Sequence, residues 1–106
     1  MIARVWRGAT RAEDMDEYAA YIEASGMAAA RAAEARGTLV LRRPDGDRAE
    51  FVTILLFDSL DAVRSFAGDD IERAVFFPED DRYLVERDPG VHHFEVDARI
   101  AGPSDC

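Results

Sequence analysis

The chain contains no lysine, no asparagine and no glutamine, and its one cysteine, Cys106, is the last of 106 residues. A single cysteine excludes an internal disulfide framework and any metal site built on cysteine ligands. The missing amine and amide side chains remove the catalytic options that depend on them; every basic residue is an arginine. Basic charge is itself scarce, 13 residues against 22 acids for a net charge of −9, so there is no basic face to meet phosphates and no nucleic-acid partner is expected. No apolar run approaches the length of a membrane span, and the N-terminal stretch lacks the apolar core of a signal peptide. A cytoplasmic protein away from membranes is the expectation. Phosphate-binding glycine loops, nucleophile elbows and Cys–His pairs are also missing, so no nucleotide cofactor is expected.

What is present is a sequence that folds. Hydrophobic residues make up 48% of the chain, enough for one core at this length and too much for a disordered acidic chain. Ile2 to Gly8 (IARVWRG) mixes β-branched, aromatic and arginine residues and predicts a first strand. Thr10 with Glu13 has capping-box spacing for a long helix, in which Ala12, Met15, Ala19 and Ile22 mark one face and Tyr18 and Tyr21 flank it. Ser25-Gly26 predicts a kink or break, after which the alanine-rich stretch continues to Arg36-Gly37. Thr38 to Arg43 predicts a second strand, turned by Pro44-Asp45-Gly46-Asp47 into a third, Ala49 to Phe57.

The stretch Phe66 to Asp80, FAGDDIERAVFFPED, joins short helices. Leu60, Val63 and Phe66 recur at helical spacing after Asp58-Ser59, and Gly68 closes that helix. Asp69 with Glu72 has the spacing to start another helix, and Pro78 with Glu79, Asp80 and Asp81 suits the first turn of a third. The acids Asp69, Asp70, Glu72, Glu79, Asp80 and Asp81 lack the spacing of a calcium loop and are explained as helix starts, so no metal is expected. Gly90 then opens a fourth strand, VHHFEV, and residues 98–106 form a flexible tail.

The order β-α-β-β-α-β over residues 1–97 predicts an α+β, ferredoxin-like domain. Its third strand, FVTILLF, is apolar on both faces, whereas the helices can cover only one. An open apolar sheet face is rare on a soluble monomer, so a homodimer with sheets packed face to face is expected.

ARVWRG, the pair Tyr18 and Tyr21, LVLRR, FAGDDIERAVFFPED and the closing HHFEV resemble the antibiotic biosynthesis monooxygenase-like family of dimeric α+β barrels, over nearly all of residues 2–97. The resemblance is to a bacterial subgroup of undetermined function. It implies a homodimer and a small aromatic or polyketide-like ligand, and it points towards cofactor-free oxygenases of polyketide phenols and towards haem-degrading relatives. Their catalytic sets use an asparagine with a tryptophan, and in the haem enzymes a histidine as well. This chain has no asparagine and carries its one tryptophan, Trp6, in the first strand, so those sets do not transfer.

Among the residues themselves, His93 is the candidate acid–base catalyst, since a histidine moves a proton near neutral pH. Strand alternation places it with Val91 and Glu95, opposite His92, Phe94 and Val96. A core or dimer-interface histidine satisfies the same pattern. Trp6, Tyr18, Tyr21, Phe66, Phe76, Phe77 and Tyr83 are candidates for an aromatic substrate pocket, and their spacing equally serves an ordinary core. Arg4 or Arg7 could reach a substrate carboxylate or carbonyl; a surface or interface ion pair is the plainer role for either. Three functions follow: a cofactor-independent monooxygenase or related proton-transfer enzyme, a non-catalytic ligand-binding or accessory dimer, and a haem protein ligated through His93.

Overall fold

Residues 1–99 are described by a computed structural model of the chain. Strand β1 (Ile2–Arg11) is the axis of an antiparallel sheet. Along one side it pairs over its whole length with β3 (Arg48–Phe57), from Ile2 opposite Phe57 to Arg11 opposite Arg48. Strand β2 (Gly37–Asp45) lies outside β3 and joins it through a two-residue turn. Gly46 takes φ +65° in that turn, a conformation glycine adopts without a Cβ clash. The other side of β1 is shared by two short strands. β4 (Leu84–Arg87) pairs with Gly8 to Thr10, and β5 (His92–Glu95) pairs with Ile2 to Val5. The order β2-β3-β1-β4, with β5 also on β1, is compatible with the expected ferredoxin-like α+β fold.

Period-two burial along β3 shows which face the helices cover. Ala49, Phe51, Thr53, Leu55 and Phe57 are buried, while Glu50, Val52, Ile54 and Leu56 between them are only partly covered. Onto the buried face pack α1 (Met15–Ile22), α2 (Ala28–Ala32) and α3 (Leu60–Ala67), giving a core of Tyr18, Ile22, Met27, Ala30 and Val63 against Phe51, Leu55 and Phe57. The Tyr18 and Phe51 rings meet edge to face at 5.1 Å. The α3 start is as expected: Ser59 is its N-cap and its hydroxyl accepts from the Ala62 N–H at 3.1 Å. Gly68 ends it at φ 81°, ψ −169°, a glycine-only region rather than the left-handed helical one.

Four local expectations are corrected. Thr10 does not cap a helix; it is buried in β1, paired with Ala49 and Leu84, and sheet pairing there outweighs the capping spacing. Ser25-Gly26 marks an irregularity, as expected, but not a break. It sits in a π turn, Glu23–Met27, through which the backbone runs on into α2. No helix starts at Asp69, because the backbone there is used otherwise: Val91 N–H donates to Glu72 O and Ala74 N–H to Pro89 O. The strand expected after Gly90 is β5, but an unexpected one precedes it: the helix after Pro78 is one turn only, α4 (Asp80–Tyr83), and the chain returns at once to the sheet as β4. The expected tail lies outside the described residues from position 100 onward. Among the described residues no helix is long and apolar enough to cross a membrane, and no group of three metal-ligating side chains comes together.

The opposite face of the sheet is open. Leu39, Leu41 and Phe94 are 52%, 46% and 57% exposed beside Val52, Ile54 and Leu56. One end of that face carries an ion-pair ladder in which Arg43 and Arg7 both hold Glu50, and Arg7 and Arg48 both hold Glu86. Arg43 first and then Arg7, by hydrogen bonding, keep the Glu50 carboxyl below the usual carboxylate range.

Candidate functional site

A cavity opens between the covered face of the sheet and residues 66–80. Its floor is sheet: Arg4 and Trp6 from β1, Thr53 and Leu55 from β3. These four are register partners, Arg4 opposite Leu55 and Trp6 opposite Thr53, so strand pairing alone places them together. One wall is the end of α1 and the π turn, with Tyr18, Ile22, Ser25, Gly26 and Met27. The other is Phe66 and Ala74 to Phe77, with Asp80 and Val91. The π turn brings Ser25 and Gly26 to the cavity by widening the helix; Ser25 Oγ donates to Tyr21 O at 2.6 Å, and Gly26 faces the Phe77 ring. The space is about 520 Å³ from walls to mouth.

The aromatic wall is held by polar contacts. Trp6 Nε1–H donates to Asp88 O at 2.9 Å, and its ring meets Phe76 edge-on at 6.2 Å. Its indole also lies over Gly8, where a Cβ would come within 2.5 Å of the ring, so only glycine allows that close approach. Tyr18 hydroxyl donates to Asp80 Oδ1 at 2.9 Å, and Asp80 Oδ2 accepts from the Phe77 N–H at 2.6 Å. Asp80 is 5% exposed. Burial first, and then the Asp80 charge, push the Tyr18 hydroxyl well above the ordinary tyrosine range, so it stays a proton donor to that carboxylate.

Arg4 is the one basic side chain on the cavity wall among the described residues and is 3% exposed. Its Nη1 donates to Ile71 O and its Nη2 to Arg73 O at 2.8 Å, which pins the irregular segment to β1. Nη1 also lies 3.1 Å from His93 Nε2. A guanidinium has no acceptor, so Nε2 accepts and the ring proton is on Nδ1. His93 therefore faces the helix-covered side of the sheet, as its register with Arg4 requires. Burial, then the Arg4 charge, lower the His93 pKa, with Glu72 acting weakly in the opposite sense. Burial also lowers the Arg4 pKa, from a value high enough that the side chain stays charged.

Of the sequence candidates, Trp6, Tyr18, Phe66, Phe76 and Phe77 line the cavity. Tyr21 and Tyr83 stand behind Tyr18, with ring centres 6.3 and 5.5 Å from it; Tyr21 Oη accepts from the Glu79 N–H at 3.0 Å, and Tyr83 packs into the core. His93 is not on the wall: Arg4 is, and His93 supports it. Asp80 was legible in the sequence only as a helix-start acid, and nothing in its spacing marks it as buried. Arg4 carried a signal, because β1 alternation sets it in phase with Ile2 and Trp6, a charge on an apolar face.

No protein-family model matches the chain, and no curated protein matches it.

Proposed function

We propose that each subunit takes up a small aromatic or polyketide-like molecule in this cavity, and that the chain works as a homodimer. The observation that carries the first part is one space walled by Trp6, Tyr18, Phe66, Phe76 and Phe77 with a few fixed polar groups, the composition of a small-molecule site. Its size favours the small end of that ligand class. The dimer rests on the open apolar face of β2, β3 and β5, which has an apolar middle and a charged end, as an interface has a core and a rim.

Binding without turnover is the better fit to this geometry. The acceptor nitrogen of His93 is engaged by Arg4, and the ring is screened from the cavity by that side chain. Haem ligation through His93 is disfavoured, because its Nε2 is already engaged by Arg4. A cofactor-independent oxygenase or proton-transfer enzyme, of the kind found in the antibiotic biosynthesis monooxygenase-like family, is favoured by a different observation. Asp80 is a buried carboxylate on the wall of an aromatic cavity, within reach of a ligand's proton. It would take the proton of a phenol or acidic C–H, leaving an anion to reduce dioxygen or to rearrange.

Both are tested in one experiment. Trp6 is the only tryptophan and lines the cavity, so its fluorescence reports occupancy. Phenol, a naphthol and an anthrone are titrated under air with an oxygen electrode in the cell. Saturable quenching without oxygen uptake or product supports the binding dimer. Oxygen uptake that disappears in Asp80→Asn supports the enzyme. A Trp6 signal that never saturates removes the site.

A further inference from the structure

We propose that Arg4 is the anion-recognising residue of this cavity and that the ligand is a small aromatic carboxylate; the inference rests on the ligand-binding reading above. Arg4 is a cation at 3% exposure on the cavity floor, with no ion pair to any carboxylate among the described residues. Arg7, Arg36 and Arg43, nearer solvent, each hold one. Burying a guanidinium without a counter-charge is costly, and two carbonyls and an imidazole offset only part of that cost. Nη1 has two acceptors and Nη2 one. Nε–H and the second Nη2–H have no protein acceptor among the described residues. A carboxylate with two parallel oxygens matches such a planar fork better than any neutral group does. The Arg4 guanidinium carbon is 5.6 Å from the Phe66 ring centre, and Trp6 and Phe76 line the same space, which gives a ring attached to the carboxylate aromatic neighbours.

The one carboxylate on the cavity wall among the described residues does not oppose this. Asp80 is bonded to Tyr18, whose ring packs on Phe51. The other Asp80 oxygen accepts from the Phe77 N–H, so both carboxylate oxygens already have donors. An acid therefore enters with its carboxylate towards the free N–H groups of Arg4. His93 completes the device by fixing the guanidinium plane from behind.

The test uses the full chain at pH 7.5 and follows Trp6 fluorescence with benzoate, with benzamide as its neutral isostere, and with benzyl alcohol. Benzoate should bind at least about tenfold more tightly than either neutral compound, the usual gain of a charge-assisted bond. In Arg4→Lys, which keeps the charge and loses the fork, benzoate should weaken more than benzamide, so that the ratio of the two affinities falls several-fold. Equal affinities for benzoate and benzamide in the unmodified protein would overturn the role of Arg4 and leave the aromatic cavity standing. Saturation by none of the three would overturn the cavity reading itself, and this inference with it.

Discussion

Arg4 Nη1 and His93 Nε2 lie 3.1 Å apart across the β1–β5 pair, with the arginine as donor and the histidine as acceptor. The same guanidinium binds the carbonyls of Ile71 and Arg73. One buried side chain therefore ties β5, β1 and the irregular wall of the cavity together, and it demands that the imidazole be neutral.

This makes stability depend on pH in a definite sense. The native pKa of His93 is depressed below its ordinary 6.5 by burial and by Arg4. As pH falls through 6.5 the unfolded chain gains a proton that the native chain refuses, so stability declines until the native pKa is passed. In His93→Gln, whose amide oxygen can still accept from Arg4, that part of the decline should vanish. Urea unfolding at pH 7.5 and 5.5 for both proteins checks this; the same loss in both would show that His93 does not carry it.

Arg4→Met leaves the carbonyls of Ile71 and Arg73 without their donor. Two part-buried hydrogen bonds from a charged donor are lost, so a loss of about 1–3 kcal/mol is expected, with faster amide exchange in residues 71–75. Denaturant unfolding with hydrogen exchange measures both. A change under about 0.5 kcal/mol would mean that the segment holds itself.

Tyr18→Phe removes the hydroxyl that Asp80 accepts from, leaving the buried carboxylate with the Phe77 N–H alone. We expect a loss of about 1–2 kcal/mol, and a larger one for Asp80→Ala, which orphans both donors. Equal and negligible losses in the two variants would show the pair to be solvated.

Gly8→Ala places a methyl against the Trp6 indole, where the ring atoms Cη2 and Cζ2 are 2.5 and 2.8 Å from the Cβ position. Trp6 must then leave its bond to Asp88 O and its contact with Phe76. Overpacking of this kind costs about 1–3 kcal/mol, and the Trp6 emission should move to the red. An unchanged spectrum would place the indole elsewhere in solution.

Ile54→Glu puts a charge in the middle of the open sheet face, opposite Leu39 on one side and Val5 on the other. If two sheets pack there, the unmodified chain runs as a dimer in size-exclusion chromatography with light scattering, and the variant runs as a monomer. A monomer in both cases would end the dimer proposal.

Much of the architecture could be read from local pattern because local physics decided it. The β3 run, the Pro44–Asp47 turn and the Ser59 start of α3 are set by side-chain period and turn chemistry within a few residues. The capping spacings at Thr10 and at Asp69 misled for a common reason. Each describes what a segment would do alone, whereas Thr10 has strand partners on both sides and Glu72 and Ala74 have partners at Val91 and Pro89. Ser25-Gly26 marked an irregularity, but whether the helix would break or widen depended on what packs against it.

The sequence by itself determined the α+β order, the candidate aromatic set and the apolar character of both sides of the third strand, since composition and period are properties of the chain alone. Only the tertiary structure decided that His93 stands behind Arg4 rather than in the cavity, that Asp80 is an interior partner of Tyr18 rather than a surface cap, and that β4 and β5 share one edge of β1. Each of these depends on contacts between residues more than sixty positions apart, and no local pattern encodes which distant group will meet a given side chain.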